Sequence, residues 1–502
     1  MLIFRFNSET KTNPMSQTEF KPTLGLLDAT MIVAGSMIGS GIFIVSADIT
    51  RNVGSAGWLI AVWLITGLMT IIAAVSYGEL SGMYPKAGGQ YVYLKEAFNP
   101  LAGFLYGWSF FAVIQTATIA AVGVAFSRFT AFLIPAVSEK NILWGIENGL
   151  NEAGVMEYSF SISAAQILAI LLIIILTYTN TKGIQGGKII QTTFTSAKLL
   201  SLFGLIILGF LLAKENFWAQ NWETGLQSAQ LEKGADGNFL QNGKWLPISG
   251  TALIGAIAAA MTGSIFSSDA WNNVTFIAGE IKNPKRNIGL SLFLGTSIVT
   301  IIYITANLMY LYVLPLTGIN SIAFPEGERV AVAASNAIFG KAGSIIIAVM
   351  IMISTFGCNN GLILAGARVY YTMAKDGLFF KKTGELNKNA VPEWAMWAQC
   401  IVACLLCLSG RYGDLLDMVS FVVVLFYALT IFGIFRLRKT QPQIDRPYKA
   451  FGYPILPAFY IVLAITFCIF LILMKPKFAL IGLGITLIGI PLYFIAVASQ
   501  KK

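Results

Sequence analysis

The chain has no histidine and only five cysteines in 502 residues, and charged side chains make up just 12% of it. Each shortage excludes something. Without histidine there is no imidazole to carry protons near neutral pH, no His-based triad and no His-containing zinc motif. The cysteines (Cys358, Cys400, Cys404, Cys407 and Cys468) all fall in apolar stretches. They read as small packing residues, with neither metal-ligand spacing nor a disulfide framework. A phosphate-cradling Gly-x-x-x-x-Gly-Lys loop is also missing. No enzyme activity, metal or cofactor is therefore expected, and any work the protein does draws on gradients or exchange. Soluble domains carry about 25% charged residues, so this composition argues against one.

Hydrophobic residues are abundant instead, at 56%, with a mean hydropathy of +0.71. They are grouped into runs of about 20 residues or more, the length that crosses a bilayer as a helix. The reading is an all-α polytopic membrane protein with twelve transmembrane helices, at about 24–45, 57–82, 101–127, 158–180, 189–213, 250–279, 289–314, 342–367, 394–409, 415–435, 454–474 and 478–498. The net charge of +10 sits in short loops between these spans and points to a lipid surface, with no nucleic acid partner. Segments on the side of the N-terminus hold about twice as many Lys and Arg as the opposite ones, which predicts both termini in the cytoplasm. Met1 to Lys21 lacks an apolar h-region and a cleavage site, so no signal peptide is expected. The long polar segment 214–249 divides the chain. A cytoplasmic tail (1–23) precedes a first five-helix unit (24–213), and a second (250–436) follows, with two further helices and a short tail in 437–502.

Both units begin with an interrupted span. In the first, Gly39-Ser40-Gly41-Ile42-Phe43 places two glycines mid-run, each weakening a helix by about 1 kcal/mol relative to alanine. In the second, Phe266-Ser267-Ser268-Asp269-Ala270-Trp271-Asn272-Asn273 offers the backbone competing side-chain hydrogen bonds. Small residues alone also serve close helix packing. Paired interruptions, however, mark a transporter site at mid-membrane depth. A half-helix starting at Gly39, Ser40 and Gly41 aims N–H donors at an anion, with no Cβ on either glycine to obstruct a ligand. Segments ending near Met37 and near Phe266 and Ser267 offer carbonyl acceptors to a cation. An α-amino acid suits both, and a small anion or a cation alone is also compatible.

Two ionisable groups lie deep in spans, where they default to functional hypotheses. Lys198 is either a structural cation on the carbonyls of the first break or a fixed stand-in for a coupling ion. Asp269 reads a polar or cationic substrate side chain or caps the helix after the second break. Asp28, Glu79 and Asp417 stand near span ends and are expected at the interface. Phe266 is a candidate lid. Asn360, in Cys358-Asn359-Asn360-Gly361, either reaches substrate or ties helices together. The loop Met83 to Tyr91 is a candidate inner gate or a plain connector.

With Ile38-Gly-Ser-Gly-Ile-Phe43, Pro85-Lys-Ala-Gly-Gly-Gln-Tyr91, Phe266 to Asn273, Gly279-Glu-Ile-Lys-Asn-Pro-Lys-Arg286, Asp376-Gly-Leu378, Arg446-Pro-Tyr-Lys449 and Gly452-Tyr-Pro454 in view, the chain resembles the amino acid–polyamine–organocation superfamily along nearly its whole length. The resemblance is to bacterial members of the L-type amino acid transporter branch. It implies a leucine-transporter-type fold, a five-plus-five inverted repeat with two added C-terminal helices, in the cytoplasmic membrane. It implies secondary active, sodium-independent amino acid transport by alternating access, as an exchanger or a proton-coupled symporter. The alternatives are a polyamine or organic-cation permease and a non-transporting amino acid sensor. Carried over by position, the substrate carboxylate meets the N–H groups of Ser40 and Gly41. Its amino group meets carbonyls of Met37, Phe266, Ser267 and Asp269. Asn273 and Asn360 belong to the same substrate-binding set, Phe266 is the gate, and Lys198 occupies the region of a sodium site. Two departures stand out. The loop Arg128 to Tyr158 has no cysteine to link the heavy chain of animal members, so no such partner is implied. Many members have Gly-Gly-Trp or Asp-Gly-Trp where this chain has Asp269-Ala270-Trp271, and the alanine adds a Cβ that trims the pocket.

Overall fold

The computed structural model describes residues 22–150, 156–234, 238–409 and 412–500. The N-terminal tail expected in the cytoplasm lies almost wholly outside them. Ten helices among the described residues are long and apolar enough to cross a membrane, and two shorter apolar ones occupy the first and ninth expected positions.

The first expected span is two helices, α1 (Leu26–Met37) and α2 (Ser46–Val53), separated by a single tight turn at Gly41–Phe43. Then come α3 (Ala56–Met83), a short α4 (Gln90–Ala97), α5 (Pro100–Leu133), α6 (Ala164–Thr181) and α7 (Ile184–Leu212). The sixth expected span, read as continuous to 279, stops early. Helix α8 (Gly250–Ser267) ends at the polar run and only one turn, α9 (Asn273–Phe276), resumes. Helices α10 (Pro284–Val313), α11 (Val330–Lys375), α12 (Glu393–Ser409), α13 (Tyr412–Thr440), α14 (Ile455–Met474) and α15 (Pro476–Gln500) complete the chain. Helix α11 overruns its expected start because Gly340, at φ 71°, joins an outer helical segment to it across a kink.

Two of the loops between spans add strands to the helical architecture. Strands β1 (Ile142–Leu150) and β2 (Met156–Ser163) form an antiparallel hairpin, and β3 (Ala229–Leu231) pairs with β4 (Trp245–Pro247). Helices α3 and α10 pack along one another. Their glycines set the approach. A Cβ on Gly289 would lie 3.4 Å from the Cα of Gly78.

Three ion pairs lock the two ends, and two of them correct the interfacial placement of acidic residues. Glu79 is wholly buried, and its carboxylate accepts from Arg438 at 2.9 and 2.7 Å and from the amide of Ala450 at 2.7 Å. Asp417 is also buried and pairs with Lys475 at 2.9 Å. In both cases a loop from a distant span covers the acid. On the side of the N-terminus, Arg368 donates to Glu280 at 3.3 Å, both side chains buried. The backbone of Glu280 also receives the amides of Thr23 and Leu24, at 2.9 and 3.0 Å, and Lys282 donates to Leu24 at 2.8 Å.

Candidate substrate site at the paired helix breaks

Helix α1 ends because Gly39 cannot sustain it. The Gly39 amide turns back to Met37 O at 2.8 Å, and the last turn of α1 is left with carbonyls that have no helical donor. Side chains from three other helices supply the missing donors. Lys198 on α7 donates to Gly35 O and, at 2.9 Å, to Ile38 O. Tyr303 on α10 donates to Met37 O at 3.0 Å, and Cys358 on α11 to Ser36 O at 3.4 Å. Lys198 is 1% exposed. An ammonium at a helix C-terminus is favourably placed against the negative end of the dipole, so the cation substitutes for part of the missing helix. Beyond the break, Gly41 opens the turn that leads into α2, and amides at the start of such a turn point away from its own carbonyls.

Helix α8 ends at Ser267. The Ser268 amide bonds to Ser264 O and Ile265 O at 3.0 and 3.1 Å, and the Asp269 amide to Phe266 O at 3.2 Å. Ala270 then takes a left-handed conformation, φ 62°, which reverses the chain before α9. The two breaks touch. A Cβ on Gly41 would fall 1.8 Å from Ser267 Oγ, so only glycine fits there. The space expected to admit a ligand at Gly41 is filled, in this conformation, by the second break. Tyr303 bridges the same junction, its hydroxyl lying 3.0 Å from Met37 O and 2.9 Å from Ser267 O.

Asp269 is buried and accepts from Tyr427 of α13 at 2.5 Å; it does not cap α9, whose N-cap is Asn272. A cavity of about 10 Å³ lies beside it, walled by Gln90, Gln115, Ala270, Asn273, Tyr106 and Tyr427, among others. On the side of the junction away from the N-terminus, a larger cavity of about 170 Å³ is lined by Asp48, Arg51, Arg128, Glu328, Asp417 and Lys475, and reaches Val45 and Gly263. Both breaks thus present backbone carbonyls, and one hydroxyl, that of Tyr303, serves a carbonyl of each.

The sequence profile of the amino acid permease family matches residues 24–497. The chain belongs to the amino acid permease family. Among curated relatives, the permease is 29% identical to the large neutral amino acids transporter small subunit 2 of Oryctolagus cuniculus over 489 residues, 96% of this chain and 82% of the relative. It is 29% identical to the b(0,+)-type amino acid transporter 1 of the same species over 437 residues, 86% and 79% of the two chains. The Asc-type amino acid transporter 1 of Mus musculus is 26% identical over 486 residues, 96% and 82%.

In the permease Gly41 of the first break meets Ser267 of the second, Tyr303 links Met37 to Ser267, and Asp269 and Asn273 line the small cavity beside the second break, whose wall includes none of Met37, Gly39, Ser40 and Gly41. Met37 O already has two donors, Gly39 N and Tyr303. Asn360 accepts from Asn180 of α6 at 2.9 Å, a tie between α11 and α6, and its own amide nitrogen is buried without a partner. The Met83 to Tyr91 loop is more than a connector. Its Gly88 amide bonds to Phe276 O at 3.2 Å, and Gln90 accepts from Asn272 at 3.0 Å and donates to Thr430 at 3.0 Å. Sequence reasoning missed Tyr303, Tyr427 and Gln115, and met Gln90 only as part of the Met83 to Tyr91 loop. A tyrosine or glutamine in an apolar run carries a weak version of the signal used for Lys198, a polar group at a depth where it has to find a partner.

Proposed function

We propose that this permease is a secondary active, sodium-independent amino acid transporter, an exchanger or a proton-coupled symporter, that works by alternating access. The observation that carries the reading is the meeting of two helix breaks at Gly41 and Ser267, with Lys198 seated on the carbonyls of α1. The substrate carboxylate binds the N–H groups of Ser40 and Gly41 once Ser267 withdraws. The amino group binds the carbonyls of Phe266, Ser267 and Asp269. Met37, Gly39 and Asn273 complete the wall, Phe266 is the gate, and Asn360, whose buried amide nitrogen has no partner, belongs to the same substrate-binding set. The fixed ammonium of Lys198 does electrostatically what a bound sodium ion does for carbonyls at an unwound helix end. The units 24–213 and 250–436 are the repeats that rock against each other, and both termini face the cytoplasm. The named relatives act on neutral amino acids by title in one case, and a neutral zwitterion is the substrate class we assign. With no cysteine between Arg128 and Tyr158, assembly by a disulfide through that loop has no thiol to use.

Uptake of labelled amino acids into proteoliposomes tests the reading. Replacing external sodium by choline is expected to leave uptake unchanged, and decarboxylated analogues are expected to compete poorly. Strict sodium dependence, or equal competition by the analogues, overturns it. Comparing preloaded with empty vesicles separates exchange from net uptake.

A further inference from the structure

A cavity of about 680 Å³ opens where three helices meet on the side away from the N-terminus. That volume is in the range of ordinary ligand pockets, about 300–1,000 Å³. Helix α7 stops at Leu212 and α10 at Val313, and the Gly340 kink of α11 directly precedes Lys341. The segments at these three points supply much of the wall. A cavity at the ends of spans lies at the depth of lipid headgroups.

Two cations, Lys214 and Lys341, and two carboxylates, Glu215 and Glu326, line it. Lys214, Lys341 and Glu215 have no side-chain partner among the described residues. Ser344, in the same wall, is 3% exposed, and its hydroxyl has no hydrogen-bond partner. Buried hydroxyls are nearly always paired, so this one points to a group supplied from outside the protein. Below the charged rim the helix faces turn aliphatic and open, with Leu211 and Leu212 of α7 and Ile345 and Ile346 of α11 all exposed. A free amino acid matches the mixed charges but not the aliphatic faces beneath them, whereas a phospholipid matches both. An anionic headgroup sets negative charge against the two carboxylates, and a choline headgroup has no N–H to donate to them. A phosphoethanolamine headgroup offers a phosphate to the lysines and a primary ammonium to the carboxylates.

We propose that this cavity binds the phosphoethanolamine headgroup of a phospholipid. Lys214 and Lys341 hold the phosphate, Glu215 and Glu326 the ammonium, and Ser344 donates to a phosphate or ester oxygen, with the acyl chains along α7 and α11. The three helices that meet here also supply the donors of the first break, Lys198 from α7, Tyr303 from α10 and Cys358 from α11. A headgroup clamped between their ends steadies their spacing, and with it the segment from Gly39 to Val45. The inference rests on the membrane placement of the chain and does not depend on what the chain transports.

The test is lipid binding to the full chain in detergent, read by native mass spectrometry. Phosphatidylethanolamine is expected to bind at least about tenfold more tightly than phosphatidylcholine or phosphatidylglycerol with the same acyl chains. The comparison with phosphatidylcholine isolates the ammonium donors, and that with phosphatidylglycerol isolates the carboxylates. The double variant Lys214→Gln, Lys341→Gln is expected to lose at least about tenfold in affinity for phosphatidylethanolamine, with an unchanged melting temperature in lipid-free detergent. Ser344→Ala removes a group that has no partner in the protein and is expected to lose at least about threefold, which keeps the test decisive if the lysine pair affects folding. Hydrogen exchange at the amides from Gly39 to Val45 is expected to slow when phosphatidylethanolamine binds the unaltered chain and to stay as it was in the double variant. Equal binding of the three lipids, or binding indifferent to both sets of substitutions, overturns the site. Competition by free O-phosphoethanolamine or a free amino acid at the lipid's own concentration overturns the lipid as its occupant. Unchanged exchange overturns the coupling to the first break.

Discussion

Tyr303 concentrates the problem of a broken membrane helix into one hydroxyl. It reaches Met37 O and Ser267 O, one carbonyl from each break, in a setting without water to take over. Removing it by Tyr303→Phe leaves Met37 O with the Gly39 amide and Ser267 O one donor short. A loss of about 1–3 kcal/mol is expected, or roughly 5- to 150-fold in kcat/KM at about 1.4 kcal/mol per tenfold. Expression-normalised uptake measures it, and uptake equal to the unaltered protein would sink the assignment. At this scale the sequence was half legible. Lys198 announced itself, because a lysine ten residues inside an apolar run has few places to put its charge and the carbonyls of a break are one of them. Tyr303 did not, because a tyrosine in a membrane span has an ordinary packing role available. Asn360 keeps both of its readings: its oxygen ties α11 to α6 through Asn180, while its buried amide nitrogen has no partner.

Between elements, the acids at span ends make the stronger case. Glu79 closes α3 and looks interfacial by position, yet it is wholly buried under the α13–α14 connection, held by Arg438 and by the Ala450 amide, with Arg446 at 3.5 Å. The cover arrives from more than 350 residues along the chain, and no local pattern encodes it. The pair Lys285–Asp445 offers a control, since its side chains are 55% and 72% exposed. Removing one partner of a buried pair costs about 3–5 kcal/mol because a charge is left uncompensated, whereas an exposed pair contributes little. Glu79→Ala is therefore expected to lower the melting temperature in detergent or nanodiscs by several degrees, and Lys285→Ala to leave it in place. Equal shifts for the two would mean that Glu79 does not organise the α13–α14 connection.

Across the whole molecule, the conformation is closed on the side of the N-terminus and hollow on the other. The paired breaks that define the architecture were legible because the physics that interrupts a helix, glycine in one half and Ser, Asp and Asn in the other, is written locally. Which side is closed was not, since closure is a relation between distant segments. Glu280 makes that closure. Its carboxylate takes Arg368 from α11 while its backbone takes Thr23 and Leu24, the chain leading into α1. One residue thus couples the start of the first half to the end of the second break and to α11. Opening this side breaks the ion pair and the backbone bonds together, so the ion pair sets part of the equilibrium between the two orientations. Arg368→Ala removes the cation and leaves a buried carboxylate that is relieved only by reaching water. Hydrogen exchange at the amides of Leu24 and Lys282 is expected to accelerate, while that of α2, on the other side of the junction, stays as it was. The population closed on the side of the N-terminus falls correspondingly, and the apparent KM measured from the opposite side rises as the inverse of the fraction that remains. Unchanged exchange at Leu24 and Lys282, or equal acceleration in α2, would show that Glu280 and Arg368 do not hold the side of the N-terminus shut.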